Sequence, residues 1–91
     1  MRSSLRQLVR YRCRSRAYVA GAPRRLLSVI DDRAIAEAVG PCPGDLRDYA
    51  LDHITPLIRF DLTTADGVRR AFAPSNLQWL RRGTNCSKGA R

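Results

Sequence analysis

The sequence predicts a small α+β domain in which helices pack on a two-stranded antiparallel sheet. Three observations point there. The chain has 91 residues, room for one domain with a thin core, since chains of this size bury only roughly 60–70% of their unfolded surface. Apolar residues recur at the helical period near residues 3–19, 27–39 and 64–72, while two short runs near 48–54 and 76–80 read as strands. Residues 58–75, between those runs, are too many for a hairpin loop and must hold structure of their own.

Taken in order, Leu5, Leu8 and Val9 interleave with Arg2, Arg6 and Arg10 at helical spacing, which predicts a basic amphipathic helix over 3–19 with its Arg face on phosphate. The same stretch fits two other readings. Residues 1–25 also hold Arg12, Arg14, Arg16, Arg24 and Arg25, and no acidic residue precedes Asp31, a composition shared by disordered basic arms and organellar transit peptides. Gly21-Ala22-Pro23 breaks the pattern and divides an Arg-rich segment, 1–25, from a domain at 26–91.

In the next helix, 27–39, Leu27, Ile30, Ala34, Ile35, Ala38 and Val39 form the buried stripe, with Asp31, Asp32 and Glu37 turned to water. Gly40-Pro41 gives its stop. After the turn-rich 41–45 comes the first strand, 48–54. Asp61-Leu62-Thr63-Thr64 offers helix caps, with Thr63 and Asp66 at capping-box-like spacing, and Ala65, Val68, Ala71 and Phe72 give the stripe of a short helix that ends before Pro74. Asn76 to Leu80 reads as the second strand, Arg81-Arg82-Gly83 as a turn, and Thr84 to Ala90 as a last short helix.

The charge narrows the partners. There are 17 Lys+Arg against 8 Asp+Glu, a net +9 with a pI near 11.0, and every basic residue but Lys88 is arginine. Such an excess favours a polyanion, most simply nucleic acid, although solubility or an anionic lipid surface would also use it. No apolar run approaches the ~18–20 residues of a membrane span, so no membrane partner is expected. The three cysteines form no C-x-x-C pair and His53 is the one histidine, so a structural zinc is not expected. The odd cysteine count and the lack of a secretory signal point to a reducing compartment.

Chemistry concentrates in 51–89. Asp52-His53 sets a carboxylate beside a candidate general base, Asn76 is a candidate clamp, and Asn85 and Lys88 share one face of the last helix. Phosphodiester hydrolysis asks for these residue types: a base to take a proton from water, and positive charge where the phosphorane builds negative charge. Histidine, with an ordinary pKa of about 6.5, accepts a proton at pH 7. Asp52 and Asn85 offer hard oxygen donors, which suit Mg²⁺ or Mn²⁺. Neighbours on a regular strand point to opposite faces, so Asp52 and His53 can share a site only at a strand end or a bulge. Arg69 and Arg70 lie off the apolar stripe of their helix and join Arg81, Arg82, Lys88 and Arg91 as candidate nucleic-acid contacts.

Asp52-His53-Ile54-Thr55-Pro56-Leu57, Asn76-Leu77-Gln78-Trp79-Leu80 and Asn85-x-x-Lys88-Gly89, in that order, resemble the HNH endonuclease family. The likeness is greatest to its small, phage-type, zinc-free members with Asn as third signature residue. It covers 40–91 and extends to Asp61-Leu62, Ala71-Phe72-Ala73-Pro74 and Gly40-Pro41-Cys42-Pro43. It implies a ββα-metal (His-Me finger) core gripping one divalent cation, Mg²⁺ or Mn²⁺, with Asp52 and Asn85 as ligands and His53 as general base. Asn76 would hold the loop and the histidine in place, and Lys88 would lie near the phosphate. The implied substrate is DNA, in a bacterial or phage-infected cytoplasm, with a larger phage or DNA-processing complex as a further candidate partner. The chain departs from the family at Thr84, where the subgroup often has Glu, and in its short final helix.

Each piece also has an ordinary reading. His53 beside Asp52 fits a half-buried polar pair, Asn76 a turn residue, Asn85 a cap, Lys88 a solvated lysine and Trp79 a core side chain. The alternative function is that of a non-catalytic basic nucleic-acid-binding or DNA-packaging accessory protein.

Overall fold

The basic N-terminal stretch is a helix because one face of it is apolar. In the computed structural model, which describes residues 4–82, α1 spans Leu5–Val19, and Val9, Cys13 and Ala17 recur every fourth residue to form its buried stripe. Ser4 starts it with a capping box, its hydroxyl accepting from the Gln7 amide at 3.1 Å while the Gln7 side chain accepts from the Ser4 amide at 3.3 Å. Beyond Gly21, the buried Ala22 continues the same core, so α1 and the elements after Gly21-Ala22-Pro23 share one core.

The helix expected over 27–39 divides in two. Arg24–Val29 winds as 3₁₀ turns, and α2 proper runs Asp32–Val39. Asp31 causes the split: its carboxylate accepts the Ala34 amide at 3.1 Å as N-cap, so regular helix starts after it. Asp32, expected to face water, is instead 8% exposed and accepts from Arg6 Nε at 2.7 Å. Gly40 closes α2 at φ 68°, ψ −174°, a region nearly reserved for glycine.

Two strands follow, β1 (Tyr49–His53) and β2 (Leu77–Arg81), paired antiparallel from Tyr49↔Arg81 to His53↔Leu77 without a bulge. The second strand reaches one residue further than expected. Arg81 sits in the ladder rather than in a turn, and Arg82 N–H extends the pairing by donating to the Asp48 carbonyl at 2.7 Å.

Residues 54–76 join the strands through a 3₁₀ turn at Leu57–Arg59, helix α3 at Ala65–Ala71, and a second 3₁₀ turn at Pro74–Asn76. Thr64, not Thr63, caps α3, accepting from the Gly67 amide at 3.0 Å, because the Asp61 carboxylate has already engaged both the amide and the hydroxyl of Thr63. Gly67 is fixed by crowding: a Cβ there would lie 1.7 Å from the Asp61 carbonyl oxygen.

The three helices and the sheet share one core, in which Val9, Ile35, Val68 and Phe72 are the largest fully buried side chains. Each contributes roughly 1.5–3 kcal/mol by leaving water. The architecture is α+β, helices packed on a two-stranded antiparallel sheet. No helix among the described residues is long and apolar enough to cross a membrane. The helix expected over 84–90, with Asn85 and Lys88, and the terminal Arg91 lie outside the described residues.

Candidate functional site

β1 is buried along four successive residues, Ala50 to His53, with Asp52 at 5% and His53 at 6% exposure. Alternation along the ribbon sets Leu51 and His53 on the face of Leu77 and Trp79, and Asp52 on the other face beside Gln78. Gln78 Nε2 donates to Asp52 Oδ2 at 3.5 Å. His53 is the last residue of β1, opposite Leu77, the first of β2. Both residues are paired in the ladder, so the Asp-His pair stands at the end of the strand with its two side chains on opposite faces.

Asn76 holds that end. Its Oδ1 accepts the Thr55 amide at 2.7 Å, and its Nδ2 donates to the Thr55 carbonyl at 3.2 Å and to the Ala71 carbonyl at 2.9 Å. Its backbone carbonyl accepts from Ile54 at 2.8 Å. One side chain thus ties the segment leaving β1 to the end of α3, two strand positions beyond the histidine. The next residue of α3's end, Phe72, presses on His53 edge to face, with ring centroids 4.7 Å apart at 89°. The clamp fixes the chain just past His53, and the aromatic contact meets the histidine ring itself.

A cavity of about 350 Å³ lies between α1 and β1, and His53, Leu51 and Leu77 meet Arg12 and Arg16 of α1 and Arg82 around it. Arg12 is half-buried: its guanidinium stands 6.0 Å from the centre of the Trp79 ring and donates to the Tyr49 carbonyl at 3.4 Å. Trp79 in turn donates its indole N–H to the Gly40 carbonyl at 2.8 Å, as a partly buried core residue does. Nearby Cys13 is pushed up to about 12, first by burial and then by the charge of Asp32, with Arg16 opposing. It is an inert thiol.

Of the residues singled out in the sequence, Asp52, His53 and Asn76 lie at one end of the sheet, Asp52 on the face opposite His53, and Arg82 lines the cavity beside His53. Arg69 and Arg70 are exposed on α3 and are not among the residues lining that cavity. Arg70 is also paired with Asp66, Nε to Oδ2 at 3.0 Å. Sequence reasoning did not single out Phe72 as the histidine's neighbour or Arg12 and Arg16 as its companions. The i, i+4 spacing of the two arginines was the available signal. Among the described residues no three His, Cys, Asp or Glu side chains form a metal group. The described candidate ligand, Asp52, is a buried carboxylate, a hard oxygen donor of the kind Mg²⁺ or Mn²⁺ takes with few protein ligands. The chain matches no protein-family model, no curated protein and no solved structure.

Proposed function

We propose that this protein is a metal-dependent endonuclease of the HNH class, with a ββα-metal core, that hydrolyses phosphodiester bonds of DNA. The observation that carries the reading is the Asn76 clamp. An asparagine at the head of β2 binds both backbone groups of Thr55 and so fixes the end of β1 where Asp52 and His53 stand. Two antiparallel strands joined by the long segment 54–76, with that asparagine at its return, suit the first two of the three sequence blocks that resemble the family.

In this reading His53 is the general base and takes the proton of the attacking water. The Phe72 contact limits rotation of its ring, which keeps the accepting nitrogen aimed at one point. Asp52, with Asn85, would hold Mg²⁺ or Mn²⁺, and such an ion when bound neutralises charge building on the phosphorus oxygens. Gln78 orients the Asp52 carboxylate through its amide. The arginines draw the polyanion in and hold its backbone, which gives affinity without base selection.

A second reading, a basic nucleic-acid-binding protein without catalysis, is favoured by the burial of both Asp52 and His53. Supercoiled plasmid separates the two. The nuclease reading predicts nicking or linearisation with Mg²⁺ or Mn²⁺, none in EDTA, and none with His53→Ala, which keeps its DNA affinity. Binding without cleavage in either metal would favour the second reading.

A further inference from the structure

The arginines of this chain are not equivalent, and their surroundings sort them. Arg6, Arg33, Arg47 and Arg70 each pair with a carboxylate, Asp32, Glu37, Asp45 and Asp66 respectively. Of the arginines outside these pairs, Arg12, Arg16 and Arg82 stand apart because all three line the cavity that His53 also lines. Arg12 and Arg16 are one helical turn apart on α1 and so share a face. No Asp or Glu is among the described residues around that cavity, and its other polar side chains, Tyr11 and Ser15, bring hydroxyl donors.

The three arginines suit an anion, and Val19, Ala50, Leu51 and Leu77 give the lining an apolar part. Guanidinium groups bind phosphate oxygens in a planar fork, and about 350 Å³ is near the lower limit of small-ligand sites (roughly 300–1,000 Å³). That is room for one stretch of sugar-phosphate backbone. Arg12 is held in place by the Trp79 ring and the Tyr49 carbonyl, so less side-chain freedom remains to be lost on binding.

We infer that the cavity between α1 and β1 is the backbone seat of the nuclease, where Arg12, Arg16 and Arg82 hold the phosphates of one DNA strand beside His53. The seat rests on the nuclease reading for its meaning, since His53 makes this the place of reaction. It gives α1, which lies outside the segment resembling the HNH family, a direct part in substrate binding. It also assigns α3's Arg69 and Arg70 a lesser one.

The experiment uses the full chain in EDTA, a fluorescently labelled DNA duplex, and anisotropy titrations at several salt concentrations. Two variants remove the same charge from different places: Arg16→Gln/Arg82→Gln and Arg69→Gln/Arg70→Gln. A thermal melt of each confirms folding. Arg16→Gln/Arg82→Gln is expected to weaken binding about tenfold or more and to lower the slope of log affinity against log salt by roughly 2. Arg69→Gln/Arg70→Gln should stay within about threefold of wild type. Equal losses in the two variants, a larger loss from the α3 pair, or no binding by the wild type would overturn the seat. A parallel plasmid assay in Mn²⁺ keeps the two claims apart. Wild-type binding with the expected pattern but no cleavage defeats the nuclease reading alone. Cleavage by Arg16→Gln/Arg82→Gln with unchanged KM defeats the seat alone.

Discussion

Helices α1 and α3 both bury an apolar stripe and both carry arginines, yet they stand differently to the candidate site. α1 holds Arg12 and Arg16 over a cavity that includes His53, with no carboxylate among the described residues lining it. α3 pairs Arg70 with its own Asp66 and reaches the histidine through its C-terminal end instead, by the Phe72 ring and by the Ala71 carbonyl that Asn76 grips. In the proposed reading, one helix offers charge to DNA and the other steadies the candidate base. A basic residue's contribution here follows from what it faces, not from the total of +9.

The largest expected effect tests the rigid side. Phe72→Ala removes one of the largest fully buried side chains and the wall against His53, and should cost roughly 3–5 kcal/mol by chemical denaturation. A cost under about 1 kcal/mol would mean that α3 does not brace the sheet end. Asn76→Ala deletes three hydrogen bonds, one of them to the buried end of α3. It should cost about 2 kcal/mol and lower cleavage more than DNA affinity. Equal losses in cleavage and affinity would reduce the clamp to a plain turn.

On the charged side, Arg6→Ala probes the one α1 arginine shown bound to a buried carboxylate. Because Arg6 is largely exposed while Asp32 is not, about 1 kcal/mol is expected. Burial pushes Asp32 upward, but the Arg6 hydrogen bond, its own backbone amide and the charges of Arg6 and Arg10 outweigh it and hold the carboxyl below its ordinary value. A depressed carboxyl contributes stability that is full above its unfolded pKa, about 3.9, and is lost as pH falls below that. Wild type should therefore lose its advantage over Arg6→Ala in melts taken below about pH 4, and an advantage that survives there would break the assignment. The smallest effect is chemical. With Cys42→Ser and Cys86→Ser in place, Cys13 should resist a thiol reagent at pH 8 until the protein unfolds.

Much of this architecture can be read from local pattern. Helical periodicity marks α1 and α3, and the Asp-His and Asn-Leu-Gln runs mark the ends of the two strands, because these signals lie within a few residues of one another. What was misread depends on distance. Asp32 looks like a solvent-facing helix residue, and its partner Arg6 is 26 positions away. Thr63 and Thr64 are equal as caps until the Asp61 carboxylate engages the first. Arg81 and Arg82 resemble a turn because the register that extends β2 is set by Tyr49 and Asp48 across the ribbon. The candidate site divides in the same way. Asp52-His53 is a visible dipeptide, whereas the gathering of Arg12 and Arg16 around the His53 cavity follows from how α1 packs.

The most direct measurement is the initial rate of plasmid nicking in Mn²⁺ for wild type and His53→Ala, compared at DNA concentrations that saturate each protein. A site built around His53 predicts metal-dependent nicking by wild type and only background by the variant, with DNA affinity preserved within about threefold. Nicking by His53→Ala at the wild-type rate, or nicking that persists in EDTA, would contradict it.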